Sequence, residues 1–263
     1  MDGNEADIKA CCADFYQTDV VRLLMGDVLH PGGLALTEHL GEVMRLQQGE
    51  QVLDIACGTG SSAISLAERF GCHVTGLDYS EDSLARARAR VESKDVSQII
   101  RFQPGDAEGL PIEDSQYDAV ISECSLCTFP DKEAATREMA RVLRSGGRVG
   151  ITDVTVNGPL PEDIRSALAW VTCIAGAGPV SHYVSLLSDA GFHDFLTEDR
   201  SRDGSAMIAD IRRKLTGLEL AAKIGKLDTQ SLDFKGTREA LKRVDDLIET
   251  GTIGYALITA KKQ

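Results

Sequence analysis

The stretch EQVLDIACGTG, residues 50–60, carries a β-rich apolar run straight into a glycine turn. Gln51–Ala56 reads as a strand, and Ser61–Phe70 after the turn reads as a helix. The same unit repeats downstream. Cys72–Leu77 is a second strand, and Glu81–Val91 is a helix with Ser80 as its cap. Ile99–Gln103 and Tyr117–Ser122 are the third and fourth strands. Lys132–Leu143 is a helix closed by Ser145-Gly146-Gly147, and Arg148–Asp153 is the fifth strand. Strands alternating with helices in this way imply βαβ units and a parallel sheet.

The flanks break the rhythm. Residues 1–48 look helical, with the turn His30-Pro31-Gly32-Gly33 followed by a helix Leu34–Leu46. Ser181–Ala190 reads as a helix, Phe192–Thr197 as a strand and Gly254–Ala260 as a last strand. Between these two strands, Ile208, Ile211, Leu215 and Leu218 recur at helical spacing, as do Leu241, Val244 and Leu247. The expected fold is α/β: a doubly wound, mostly parallel, seven-stranded Rossmann-like sheet. The expected organisation is a single domain over 1–263, with an N-terminal helical cap (1–48), a core (49–199), a helical insertion (200–252) and the last strand (253–263).

Composition narrows the function. The chain has 263 residues, 28 Lys plus Arg against 41 Asp plus Glu, and a formal net charge of −13. Binding by phosphate neutralisation needs clustered bases, so nucleic-acid partners are not expected. No run approaches the roughly 18 apolar residues of a membrane span. The seven cysteines cannot all pair within one chain, and the first residues do not form a signal peptide. They therefore read as thiols in a reducing compartment, and a cytoplasmic location is expected.

The glycine turn sits where a doubly wound sheet binds ligands. Gly58-Thr59-Gly60 with Ala63, and Asp78 twenty residues after Gly58, formally satisfies a dinucleotide fingerprint. Charge argues otherwise. Asp54 would face a pyrophosphate without a compensating base in the turn, whereas S-adenosylmethionine brings no phosphate and carries a sulfonium and an ammonium. Asp78-Tyr79 ends the second strand, where a carboxylate can accept from ribose hydroxyls and an aromatic can lie on adenine. Asp106-Ala107 follows the third strand and Glu123 the fourth, which puts four acids at four successive strand ends.

These motifs resemble those of the class I S-adenosylmethionine-dependent methyltransferases over roughly residues 45–155. VLDIACGTG is similar to their first motif, GLDYS to their second, and GDAEGLPIEDSQYDAVIS to their adenine-side and fourth-strand region. The resemblance implies that Asp54, Gly58 and Gly60 line the methionine part of the cofactor, Asp78 the ribose, and Asp106 with Ala107 the adenine, with Thr59 and Tyr79 in the same cofactor-binding set. Glu123 belongs to the same edge.

The acceptor side is read from cysteines. Cys124 and Cys127 follow the fourth strand, Cys173 lies downstream of the fifth, and Cys11-Cys12 lies in the N-terminal segment. Cys57 and Cys72 read as core residues, since cysteine usually packs as a small hydrophobe. Converging thiolates suit thiophilic elements, and the spacings do not match a structural zinc site. The stretch ISECSLCTFPDKEAATREMARVLRSGG, with DVTVNGPLPEDIRSALAWVTCIAGAG and HYVSLLSDAGF after it, resembles the arsenite methyltransferases. That likeness implies trivalent arsenic held by Cys124 and Cys173, attack by its lone pair on the methyl group, and an external thiol reductant; the third thiol is expected from the N-terminal segment, as Cys12 or Cys11. Two other functions remain open. One is methylation of a small organic acceptor, quinone- or sterol-like, with Tyr16, His30 and His182 as available polar groups and His182 as a possible base. The other is a non-catalytic thiol or metalloid sensor.

Overall fold

The computed structural model describes residues 23–26, 28–161, 174, 176–223 and 233–263. Among these, seven strands form one sheet: β1 (Gln51–Ile55), β2 (His73–Asp78), β3 (Ile100–Pro104), β4 (Tyr117–Glu123), β5 (Leu143–Val156), β6 (Phe192–Asp199) and β7 (Ile253–Lys262). Their order is β3-β2-β1-β4-β5-β7-β6. The strands β3 to β5 along this order pair in parallel, and β7 runs antiparallel to both β5 and β6. The expected doubly wound sheet is therefore present. Its strand order reverses beside β1, whose neighbours are β2 and β4, and a crevice opens at such a switch point.

The helices are α1 (Gly33–Val43), α2 (Ser61–Phe70), α3 (Glu81–Val91), α4 (Lys132–Val142), α5 (Val180–Asp189), α6 (Ser201–Lys223) and α7 (Phe234–Glu249). Alternate residues of the strands feed opposite faces. Val52, Ala119 and Ile121 pack with Leu36 and Leu40 of α1 and Ala63 and Leu66 of α2. Leu53, Ile55 and Val120 pack with Met139 and Val142 of α4 and Leu187 of α5. With both faces covered, the central strands read as continuous apolar runs. Ser80 caps α3 by accepting from the Ser83 amide, with Glu81 and Asp82 in the first turn and Arg88 and Arg90 in the last, which matches the helix dipole.

Two boundaries differ from expectation. The helix expected over 34–46 stops at Val43, because Arg45 turns to φ 54° and the Leu46 amide folds back onto the Gly41 carbonyl at 3.0 Å. The fifth strand begins at Leu143 rather than Arg148. Leu143 already pairs with Tyr117, and the ladder resumes at Arg148 opposite Ala119, so the glycine pair forms an irregularity inside the strand, with Gly146 at φ 74°.

The region between β6 and β7 is helical as expected. α6 packs on α7 and on β7, and Val244, Leu247 and Ile248 of α7 close over Val156, Ile174 and Ile253. Among the described residues no helix is long and apolar enough to cross a membrane.

Candidate active site

The chain leaves β1 through a tight reversal in which Ala56, Gly58 and Gly60 take φ of 60°, 54° and 76°. Gly60 is required sterically as well, since a Cβ there would stand 2.6 Å from the Phe102 ring. Asp78, at the end of the neighbouring strand, fixes the turn. One of its carboxylate oxygens accepts from the Gly58 amide at 2.8 Å and the other from the Ser80 amide at 2.8 Å.

Above the turn lies a crevice of about 530 Å³, within the range of small-molecule sites. Asp54, Gly58, Thr59, Asp78, Tyr79, Asp106, Ala107, Glu123 and Cys124 all line it. These side chains come from the carboxyl ends of β1, β2, β3 and β4, as the sequence predicts. Gly60 lies beneath the lining, where it makes room for Phe102. Tyr79 stands at the rim and is half exposed.

The crevice is acidic. Asp54 is 2% exposed, and burial, followed by the charges of Glu123 and Asp78, pushes its carboxyl well above the ordinary range, with the Ala63 amide opposing. One of its oxygens, Oδ2, has no hydrogen-bond partner among the described residues. A buried acceptor left unsatisfied is costly, so this position fits a ligand that brings a positively charged donor. Burial also raises Asp78, against the amides of Ser80, Gly58 and Tyr79.

Glu123 anchors a polar cluster that the sequence does not reveal. One of its oxygens accepts from Ser62 Oγ of α2 at 2.6 Å and from Thr37 Oγ1 of α1 at 2.9 Å. His30 Nε2 lies 3.4 Å from each of these hydroxyls and 3.6 Å from the carboxylate. His30 is buried and lines the crevice, whereas His182 lies exposed on α5 and outside the lining. His182, named above as a possible base, therefore stands apart from the crevice, whereas His30 forms part of its wall.

The cysteines divide differently from expectation. Cys57 is not simply core. It is buried, yet it forms part of the crevice wall, because Gly76 leaves room for its sulfur. Burial, then the charges of Asp54 and Asp78, raises its thiol well above the ordinary value. Cys72 is buried in the core as expected, and burial lifts its thiol to about 11. Cys127 is fully buried, with its amide donating to Asp153. Cys124 lines the crevice and takes φ 52°, an uncommon backbone state for a non-glycine residue. Cys11, Cys12, Cys173 and Tyr16 lie outside the described residues. Among the described residues, no group of three His, Cys, Asp or Glu side chains is arranged to hold a metal ion.

A seven-stranded α/β sheet with a glycine turn at its switch point and acids at successive strand ends is the frame of a methyltransferase. The sequence profile described as a methyltransferase domain matches residues 46–194, and the chain belongs to that family. The cofactor of this class is S-adenosylmethionine. Methyltransferase GfsG of Streptomyces halstedii is 32% identical over 90% of this chain and 82% of its own length. The 27-O-demethylrifamycin SV methyltransferase of Amycolatopsis mediterranei is 30% identical over 93% of each chain. An arsenite methyltransferase of Halobacterium salinarum is 35% identical over 55% of this chain and 37% of its own length, so the arsenite resemblance is one of several of similar strength. The fold also matches the phosphoethanolamine N-methyltransferase 2 of Haemonchus contortus, solved with S-adenosyl-L-methionine. That match has a TM-score of 0.80 and 21% identity over 95% of this chain and 60% of that enzyme.

Proposed function

We propose that the protein transfers a methyl group from S-adenosylmethionine to a small organic acceptor that enters the crevice beside Glu123 and Cys124. The orphaned Asp54 oxygen carries this reading, because the cofactor's ammonium and sulfonium supply the positive charge that it lacks. In this reading Asp54, Gly58, Thr59 and Gly60 serve the methionine part, Asp78 the ribose, and Tyr79, Asp106 and Ala107 the adenine. When bound, the cofactor supplies an electrophilic methyl group. The chain's own contribution is to align the acceptor atom with it and to keep water out. An organic acceptor is supported by the relatives that align along nearly the whole chain, one of which is named for an O-demethyl compound.

Arsenite as acceptor is a second reading, favoured by Cys124, a residue of the crevice wall. Cys124, Cys173 and Cys12 would then hold the metalloid, and an external thiol reductant would regenerate them. Calorimetry with S-adenosylmethionine, then labelled-methyl transfer to arsenite and to hydroxylated small molecules, separates the two. Transfer to the organic compounds that survives Cys124→Ser supports the first reading. Transfer to arsenite alone, abolished in Cys124→Ser, supports the second. Absence of cofactor binding would overturn both.

A further inference from the structure

The carboxyl end of β4 runs into a turn over 124–129, and four of its members line the crevice: Cys124, Ser125, Thr128 and Phe129. The turn is folded back onto β5 and α4. The Cys124 amide donates to the Thr152 carbonyl at 2.6 Å, Thr128 Oγ1 donates to the Ser125 carbonyl at 2.7 Å, and Lys132 Nζ of α4 donates to the Phe129 carbonyl at 2.8 Å. At its centre, the Cys127 amide donates to Asp153 Oδ2 at 2.8 Å. Asp153 belongs to β5, where it pairs with Ala256 of β7. It is 1% exposed and stands outside the crevice lining.

Alternate residues of a strand share one face. Val149 and Ile151, which precede Asp153 at that spacing, are buried in the apolar core beneath α4 and α5, so the acid interrupts an apolar row. A buried carboxylate is costly, and a well-packed apolar residue would serve stability as well. What the acid adds is an acceptor for backbone. One oxygen takes the Cys127 amide and the other the Val154 amide, each at 2.8 Å. Tyr183 of α5, itself buried, donates its hydroxyl to the Val154 carbonyl at 2.7 Å. Burial lowers the Lys132 amine, with the charges of Cys127 and Asp153 opposing, and burial raises the Tyr183 phenol, with Asp153 adding to it. Acid, amine and phenol thus make one buried group around the turn.

We propose that Asp153 is a positioning residue for the methyl acceptor: by holding the Cys127 amide it fixes the turn that carries Cys124, Ser125, Thr128 and Phe129, and so sets the acceptor-side wall of the crevice. The proposal rests on the methyltransferase reading. Lys132 braces the far end of the same turn at Phe129. The glycine turn after β1 is held separately, by Asp78 of β2 through the Gly58 amide. Loss of Asp153 therefore disturbs one side of the crevice and spares the other. Methyl transfer needs the acceptor atom in line with the methyl group, and a misplacement of about 1 Å in such a site costs about 10²-fold in rate.

Two variants test this. Asp153→Ala removes the acceptor, and Lys132→Met, at the partly buried end of the turn, keeps the test open if the first does not fold. NMR of the nitrogen-15-labelled protein reads the Cys127 amide proton, which a carboxylate acceptor shifts downfield. In Asp153→Ala that proton is expected to move upfield, while the Gly58 amide proton stays in place. Calorimetry with S-adenosylhomocysteine should give wild-type affinity in both variants. With 4-methylcatechol as acceptor probe, kcat/KM for the probe is expected to fall about 10–10²-fold, with the KM for S-adenosylmethionine unchanged. A Cys127 amide that does not move, wild-type kinetics on the probe in both variants, or equal losses for cofactor and probe would overturn the proposal. Failure of the wild-type protein to bind S-adenosylmethionine would instead remove the methyltransferase reading, which the amide shift does not address.

Discussion

Asp54 and Glu123 end adjacent parallel strands, with Ile55 of β1 in register with Ser122 of β4, and their carboxyl groups share one crevice. Glu123 is the largest cause of the raised Asp54 pKa after burial itself. Two acids so close cannot both ionise cheaply without a cation between or beside them.

Cofactor binding should therefore be linked to a proton. A cation favours ionised Asp54, so affinity for S-adenosylmethionine is expected to rise with pH through the titration of Asp54 in the free protein, with a proton released on binding. Calorimetry in buffers of different ionisation enthalpy measures that release. In Asp54→Asn the release should disappear and affinity should fall by about tenfold, equivalent to about 1.4 kcal/mol. A raised folded-state value for an acid also means stability that is present at low pH and lost as pH rises. The Asn variant without cofactor should then melt higher than the wild type at neutral pH, by an amount equivalent to about 1 kcal/mol.

The turn has a steric requirement that can be probed separately. Gly60→Ala places a methyl group against Phe102 at a residue with φ 76°. Overpacking together with backbone strain should cost about 2–4 kcal/mol, read as a lowered denaturant midpoint. Gly58→Ala, whose Cβ would meet nothing within 4 Å, should cost less stability. A larger loss in Gly58→Ala than in Gly60→Ala would contradict this account.

Thiol chemistry should rank the four described cysteines. Cys72 and Cys127 are fully buried, and Cys57 is raised by burial and by its acidic neighbours, so iodoacetamide should label Cys124 first among these four. S-adenosylhomocysteine should slow that labelling. Peptide mapping by mass spectrometry gives the order, and equal rates at Cys57 and Cys124 would show that the crevice wall is misjudged.

Arg141 holds the segment that follows Asp106 and Ala107. Its guanidinium donates to the carbonyls of Ile112 and Leu110, to Asp114 and to both oxygens of Glu138, at 2.7–3.1 Å. Arg141→Met should cost about 1–3 kcal/mol and weaken cofactor binding by loosening the adenine edge. Hydrogen bonds from Arg141 hold the Glu138 carboxyl below its usual range. The stability they provide is present above the ordinary glutamate value and lost as pH falls below it. The difference in melting temperature between the two proteins should therefore shrink on acidification.

Periodicity made the sheet and helices legible, because each strand is bounded by turn residues and each helix buries one stripe. Ser80 marks a helix start by chemistry that acts within three residues, and so it could be read locally. The acids at the strand ends followed from the same rhythm. The His30 cluster was not legible, since Thr37 and Ser62 lie 86 and 61 residues from Glu123 and meet it only once the strand order is set. Cys57 is buried as expected, but its share in the crevice wall was not legible for a related reason, as the space it occupies exists because Gly76 on the next strand lacks a side chain. The early start of β5 was hidden by Ser145-Gly146-Gly147, which reads as a helix stop but is accommodated inside the ladder.

Gly32 lies against the first turn of α6, where a Cβ would come within 3.3 Å of Asp203 and 2.6 Å of Leu36. The loop that presents His30 is thus seated partly on the insertion between β6 and β7, while the cofactor crevice is made from the ends of β1 to β4. Reshaping the start of α6 would therefore shift this loop at one side of the crevice and leave the turn after β1 untouched.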